Sequence, residues 1–263
     1  MPVQHIRAAH IAYDLWGSGP PLLLIHGAFV SRLEWQHQYD ALGAHFTCLA
    51  PDVRAHGQSS ADGQPYSVEQ FADDLVVLLD RLKFDKVFVL GHSMGGVIAQ
   101  QIAIRNPHRV RALILAEANY GLHDTLLEKF FNWQAVVTVR LIGAHTALKL
   151  GASGVVKNLP GGPKWLAAEL AARPPNRPAE IAVAQALANY TGKAQLPRIT
   201  CPTLILIGQG NPISTSHGRH MAEVIPHATL RVIPNAGHFF NFEHPAAFNT
   251  AVLDFLLPYT QSP

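Results

Sequence analysis

The stretch "KVFVLGHSMGGVIAQQIAIRNP", residues 86–107, decides the fold. Its first part is a continuous apolar run that stops at Gly91, and its second part carries apolar residues at helical spacing. Continuous rather than alternating hydrophobicity means a strand covered on both faces, as in a parallel sheet. Between strand and helix stands "GHSMGG", residues 91–96, which fits G-x-S-x-G with Ser93 at the turn. A nucleophile held on so tight a turn needs small neighbours two residues away on either side, here Gly91 and Gly95. The helix that starts near Met94 sets a free backbone N–H and a positive dipole end beside the serine oxygen. A serine in an ordinary glycine-rich turn is the bland alternative. The strand before it and the helix after it favour the nucleophile.

Working outward, the same rhythm recurs. Residues 20–27, 46–52, 110–118, 202–208 and 229–237 read as further strands, and 67–82, 216–226 and 245–259 as helices. Ser67 with Gln70 makes a capping box for the first of these helices. Strand–helix alternation means βαβ units, so the fold class is α/β, with a doubly wound and mostly parallel sheet. The segment up to Trp16 reads as an edge hairpin. From about Gly121 to Lys193 the rhythm breaks into helical pieces, apolar almost all round and punctuated by Gly and Pro. The expected organisation is a core formed by residues 1–120 and 194–263, with 121–193 inserted as a helical cap over the carboxyl edge of the sheet, where such sheets bind ligands.

Bulk properties narrow the function. The chain has 263 residues, 48% of them hydrophobic and 14% charged, enough for one well-cored domain carrying an insertion. No run approaches the about 18 apolar residues of a membrane span, and the first residues show no signal-peptide pattern, so a cytoplasmic protein is expected. A formal charge of +2 without clusters of Lys or Arg points to neither nucleic acid nor an anionic membrane as partner. Cys48 and Cys201 read as buried thiols, and the 15 histidines include no metal-spaced pair. The expected partner is a small molecule.

A serine hydroxyl is inert near neutral pH and needs a base. His238, in "GHFFNFEHP" (237–245), follows the last strand and precedes the last helix, which brings it to the same sheet edge as Ser93. With "LLLIHGAF" (22–29), "PDVRAHGQSS" (51–60), "GHSMGG" and "GHFFNFEHP" in this order, the chain resembles the α/β-hydrolase superfamily, in its lidded esterase, peroxidase-like and dehalogenase-like branch. The resemblance spans nearly everything outside the insertion. It implies Ser93 as nucleophile, His238 as base, an oxyanion hole from the backbone N–H groups of Ala28 and Met94, and no cofactor. Ala55 stands where glycine is commoner, and Arg54 and His56 read as scaffold.

The resemblance also exposes a gap. The family's acid usually follows the strand that "PTLILIG" resembles, yet this chain has Asn211 there, in "LIGQGNPIS" (206–214). An amide cannot stabilise an imidazolium as a carboxylate does. Three explanations compete: the acid has moved to Glu117, at the end of the preceding strand; Asn211 replaces a native aspartate; or Ser93 and His238 act as a dyad, with Asn211 merely orienting the ring. The moved acid is preferred. Glu117 lies 24 residues after Ser93, one helix and one strand later, and a carboxylate closing so apolar a run needs a partner.

Serine at the elbow, rather than aspartate, points to acyl transfer to water. Phe29, Phe130, Phe131, Trp133, Trp165 and Phe239 suggest an apolar substrate pocket, although packing explains each of them singly as well. The expected activity is hydrolysis of a small or medium apolar ester, thioester or lactone. A C–C bond hydrolase or perhydrolase on the same fold is one rival. A non-catalytic binding protein with a degenerate triad is the other.

Overall fold

A computed structural model describes residues 2–6, 9–62, 65–155, 159, 161–172 and 174–260. Eight strands form one sheet: β1 (Val3–Ile6), β2 (Ala9–Trp16), β3 (Pro21–Ile25), β4 (Thr47–Pro51), β5 (Val87–His92), β6 (Val110–Ala116), β7 (Thr203–Gly208) and β8 (Ala228–Ile233). Their spatial order is β1-β2-β4-β3-β5-β6-β7-β8. The pairings β1–β2 and β2–β4 are antiparallel, which makes the expected edge hairpin, and all the others are parallel. The order reverses direction at β3, beside β5, so the elbow after β5 opens at the switch point of the sheet.

The helices are α1 (Tyr39–Gly43), α2 (Val68–Arg81), α3 (Met94–Arg105), α4 (Leu126–Ile142), α5 (Ala144–Val155), α6 (Gly162–Ala172), α7 (Arg177–Asn189), α8 (Pro212–Val224), α9 (Phe240–Glu243) and α10 (Pro245–Leu256). They cover both faces of the sheet, and strand side chains alternate between the two layers. Leu23, Ile25, Val89 and Leu115 pack on one side with Phe71 and Leu75 of α2 and Ile98 and Ile102 of α3. Leu22, Leu24, Phe88 and Leu90 pack on the other with Phe248 and Val252 of α10. Each such side chain contributes about 1.5–3 kcal/mol on burial, so the central strands are the most firmly held part of the chain. Cys48 and Cys201 are free and buried, and burial pushes the Cys48 thiol up to about 12.

Local chemistry sets the element ends. The Ser67 side chain accepts from the Gln70 N–H and starts α2 as expected. Helix α8 starts four residues earlier than its apolar pattern suggests. The cause is Asn211, whose Oδ1 accepts from the Ser214 N–H, with Pro212 preset at the first helical position. Arg54 is buried and bidentate to Asp74 (2.6 and 2.9 Å), as scaffold. Ala55 has φ +64°, a left-handed conformation that explains why glycine would suit the position.

Between β6 and β7 lie only helices α4–α7 and short 3-10 turns among the described residues. On α6, Glu169 is 6% exposed, and burial drives its carboxyl up to about 8, aided by the charges of Glu34 and Asp52 and opposed by Ser31. The folded chain therefore keeps a proton that the unfolded chain releases above about pH 4.5. Stability should fall as pH rises from about 4.5 to 8 and stay penalised above. Denaturant unfolding at pH 8.5 should show Glu169→Gln more stable than the parent by about 2–3 kcal/mol, with the gap closing at pH 4.5.

Candidate active site

Strand β5 delivers Ser93 to the carboxyl edge of the sheet with φ +53° and ψ −115°, outside the regions open to ordinary L-residues. The surrounding glycines show why the turn needs them. A Cβ on Gly91 would meet the Gly95 carbonyl oxygen at 2.1 Å, and one on Gly95 would meet the Ile25 carbonyl oxygen at 2.0 Å. The Ser93 N–H donates to the Ala116 oxygen of β6 (2.9 Å), which ties the elbow to the neighbouring strand. Among the described residues no hydrogen-bond acceptor meets the N–H of Ala28 or of Met94, and both residues line one cavity with Ser93. Two free donors beside a serine hydroxyl can receive the charge that develops on a carbonyl oxygen.

Glu117 leaves β6 with φ +48° and is 2% exposed. Its Oε1 accepts from the Gly208 N–H at 2.6 Å, and its Oε2 from Asn211 Nδ2 at 2.9 Å and His238 Nδ1 at 3.1 Å. Burial works to raise this carboxyl, but the His238 hydrogen bond and the Gly208 N–H outweigh it and hold the group below its ordinary value. A carboxylate thus reaches His238 from the end of β6, one strand before Asn211, and Asn211 is a donor to it. An N–H at Nδ1 leaves His238 Nε2 as the acceptor that a base requires. The Ser93 hydroxyl makes no hydrogen bond among the described residues, a looseness common before substrate closes such a site.

Two buried residues that the sequence did not suggest brace this arrangement. His92 Nδ1 pairs with Glu34 Oε1 at 2.6 Å, and His92 Nε2 donates to the His238 carbonyl oxygen at 2.8 Å. Glu34 Oε2 accepts from the Gly27 N–H at 2.8 Å, next to the Ala28 donor. One ion pair therefore grips the loop that carries His238 and the loop that carries Ala28 together. Burial lowers the His92 pKa, but the charge of Glu34 and its contact more than restore it, so the ring is held above its ordinary value. His26 differs: burial dominates and lowers it, consistent with a neutral ring that accepts from the Val53 N–H. Only the position of His92 beside Ser93 marks it in the sequence. Glu34 carries no signal, because its partner is 58 residues away.

The cavity at Ser93, about 280 Å³, has a mainly apolar wall that includes Phe29, Val97, Leu122 and Leu187. A second space of about 310 Å³ shares Ala28, Phe29 and Ala135 with it and reaches Phe131 and Leu148. Of the aromatic candidates, Phe29 and Phe131 line these spaces. Phe130 and Trp133 instead lie 53% and 61% exposed, because the inward face of α4 belongs to Asn132 and Ala135. Trp165 is buried against Phe239 and Phe242, and Phe239 also packs edge-on to the His238 ring. No described group of His, Cys, Asp and Glu could hold a metal ion, and no described helix is long and apolar enough to cross a membrane.

Comparison with known proteins agrees with the fold. Residues 20–245 match the family model described as alpha/beta hydrolase fold. The chain is 30% identical to 3-oxoadipate enol-lactonase 2 of Acinetobacter baylyi over 96% of its own length and 97% of the relative's. A thermophilic esterase from Thermogutta terrifontis superposes with TM-score 0.83 at 28% identity, covering 99% of each chain. Est816, described as an N-acyl homoserine lactone degrading enzyme, gives TM-score 0.80 at 29% identity, covering 97% of this chain and 100% of that one.

Proposed function

Since the chain belongs to the alpha/beta hydrolase fold family, we propose that it is a serine hydrolase cleaving small or medium, mostly apolar esters, thioesters or lactones. The observation that carries this is the linked set of Ser93 in its strained turn, His238 hydrogen-bonded to buried Glu117, and two unsatisfied N–H groups in one cavity. Backbone strain of this kind costs about 1–3 kcal/mol. A protein that only binds a ligand has no use for it.

In the proposed reaction Ser93 Oγ attacks the carbonyl carbon while His238 Nε2 takes its proton. Glu117 stabilises the resulting imidazolium, and the Ala28 and Met94 N–H groups hold the oxyanion. Collapse expels the alcohol or thiol, which takes the proton from His238, and leaves an acyl group on Ser93. Water, activated by the same histidine, then releases the acid. A lactone follows the same steps, with both products joined. Helices α4–α7 act as the cap, supplying Asn132, Ala135, Ala184 and Leu187 to the wall beside Ser93. A space of about 280 Å³ equals about nine waters of liquid, which suits a short or medium acyl group. The adjoining space beyond Phe29 suits the leaving group. The enol-lactonase, esterase and lactone-degrading relatives support ester and lactone chemistry.

A fluorophosphonate probe tests the nucleophile. Mass spectrometry should find one adduct, on the peptide containing Ser93, together with loss of p-nitrophenyl butyrate turnover. Full turnover without labelling, or labelling elsewhere, would overturn the assignment.

A further inference from the structure

Two amides in the cavity wall are each half-satisfied, and in opposite senses. Asn119 Oδ1 accepts from the Gly121 N–H at 2.9 Å, and Asn132 Nδ2 donates to the Ala188 carbonyl oxygen at 2.9 Å. A backbone N–H can be received only by the amide oxygen, and a carbonyl oxygen only by the amide nitrogen, so both orientations are settled. What remains is Nδ2 of Asn119, a donor, and Oδ1 of Asn132, an acceptor, and neither has a partner among the described residues. Both residues line the space that holds Ser93, Ala28 and Met94. The other polar side chains described in the wall are Ser93 itself and Tyr190, whose hydroxyl accepts from Gln101 Nε2 at 3.0 Å. Among the described residues, no Lys, Arg, Asp or Glu lines the cavity.

We infer that the substrate is an uncharged ester or lactone whose acyl part carries a secondary amide, read by Asn119 and Asn132. The inference rests on the hydrolase proposed above and narrows it. A secondary amide offers one carbonyl acceptor for Asn119 Nδ2 and one N–H donor for Asn132 Oδ1. A ketone satisfies only Asn119, and an alkyl chain satisfies neither and leaves both amides desolvated. A carboxylate enters a mainly apolar wall with no cation to pair with it among the described residues, which is costly. A site built to bond a substrate N–H discriminates strongly against analogues that lack it, because its own polar atoms are then stranded.

The test uses four p-nitrophenyl esters of matched length: hexanoate, 5-oxohexanoate, 3-acetamidopropanoate and the mono-ester of glutarate. Expected kcat/KM rises from hexanoate to the ketone to the amide, with at least a tenfold gain overall, and the glutarate mono-ester falls at least tenfold below hexanoate. Asn132→Leu should erase the advantage of amide over ketone, and Asn119→Leu that of ketone over hexanoate. A flat series, a glutarate preference, or ratios unmoved in both variants would overturn the inference. The corresponding methyl esters, titrated calorimetrically into Ser93→Ala, read binding without turnover. The same order there, with no turnover of any ester by the parent, would remove the hydrolase reading and keep the recognition. Turnover of all four esters with equal binding would do the reverse.

Discussion

Glu117→Gln is expected to lower kcat for any ester substrate by about 10³–10⁴-fold, the scale seen when a triad acid becomes an amide, with KM nearly unchanged. The geometry explains the size. Glu117 Oε1 accepts from the Gly208 N–H, and Oε2 receives both Asn211 Nδ2 and His238 Nδ1. A glutamine that keeps its oxygen on Gly208 must turn its NH₂ toward two other donors. His238 can then accept only through Nδ1, which places its proton on Nε2 and removes the base. A smaller, separable effect concerns stability. Because Glu117 is held below its ordinary value of 4.5, its stabilisation is present above that value and lost as pH falls through the folded one. Glu117→Gln should therefore show a weaker acid limb in unfolding experiments than the parent.

His92→Leu is expected to cost about 3–5 kcal/mol of unfolding free energy, because it strands the Glu34 carboxylate in a buried site with the Gly27 backbone N–H as its one remaining donor among the described residues. Glu34→Gln should cost less, since the amide oxygen can still accept from the Gly27 N–H. The pH dependence follows from the raised His92 value. Its stabilisation is complete below about 6.5, the unfolded value, and is lost as pH rises through the higher folded one. Urea unfolding at pH 6 and pH 9 should thus show a larger difference between parent and His92→Leu at pH 6. An equal difference at both pH values would mean that His92 is neutral and serves only as packing. Since the pair holds both loops, His92→Leu should also depress kcat more than it raises KM.

Much of the fold was legible because its signals are local. Continuous apolar runs named the parallel strands, and Gly91 and Gly95 named the elbow, although only the crowding of Gly91 by Gly95 is local and Gly95 is crowded by Ile25 of β3. Glu117 could be proposed because a carboxylate at the end of an apolar strand demands a partner. What the sequence could not show depends on contacts made across the chain. Asn211 read as a vacancy, whereas it donates to Glu117 and caps α8, both consequences of β6 and β7 lying side by side. Glu34 and His92 meet only after folding. On α4 the apolar residues run nearly all round, so nothing in the pattern told Asn132 and Ala135 on the inner face from Phe130 and Trp133 on the outer one. The polar Asn119 and Asn132 carry more substrate information than the aromatics, because each keeps one atom unbonded.

The most direct measurement compares kcat of the parent, Glu117→Gln and Asn211→Asp side by side, with Ser93→Ala as blank. With Glu117 as the acid, Glu117→Gln falls by about 10³–10⁴-fold toward the blank. Asn211→Asp gains nothing, because its new carboxylate would crowd Glu117 where a donor stood at 2.9 Å. Near-parental turnover in Glu117→Gln, together with a large rise in Asn211→Asp, would contradict the relocated acid and return that role to position 211.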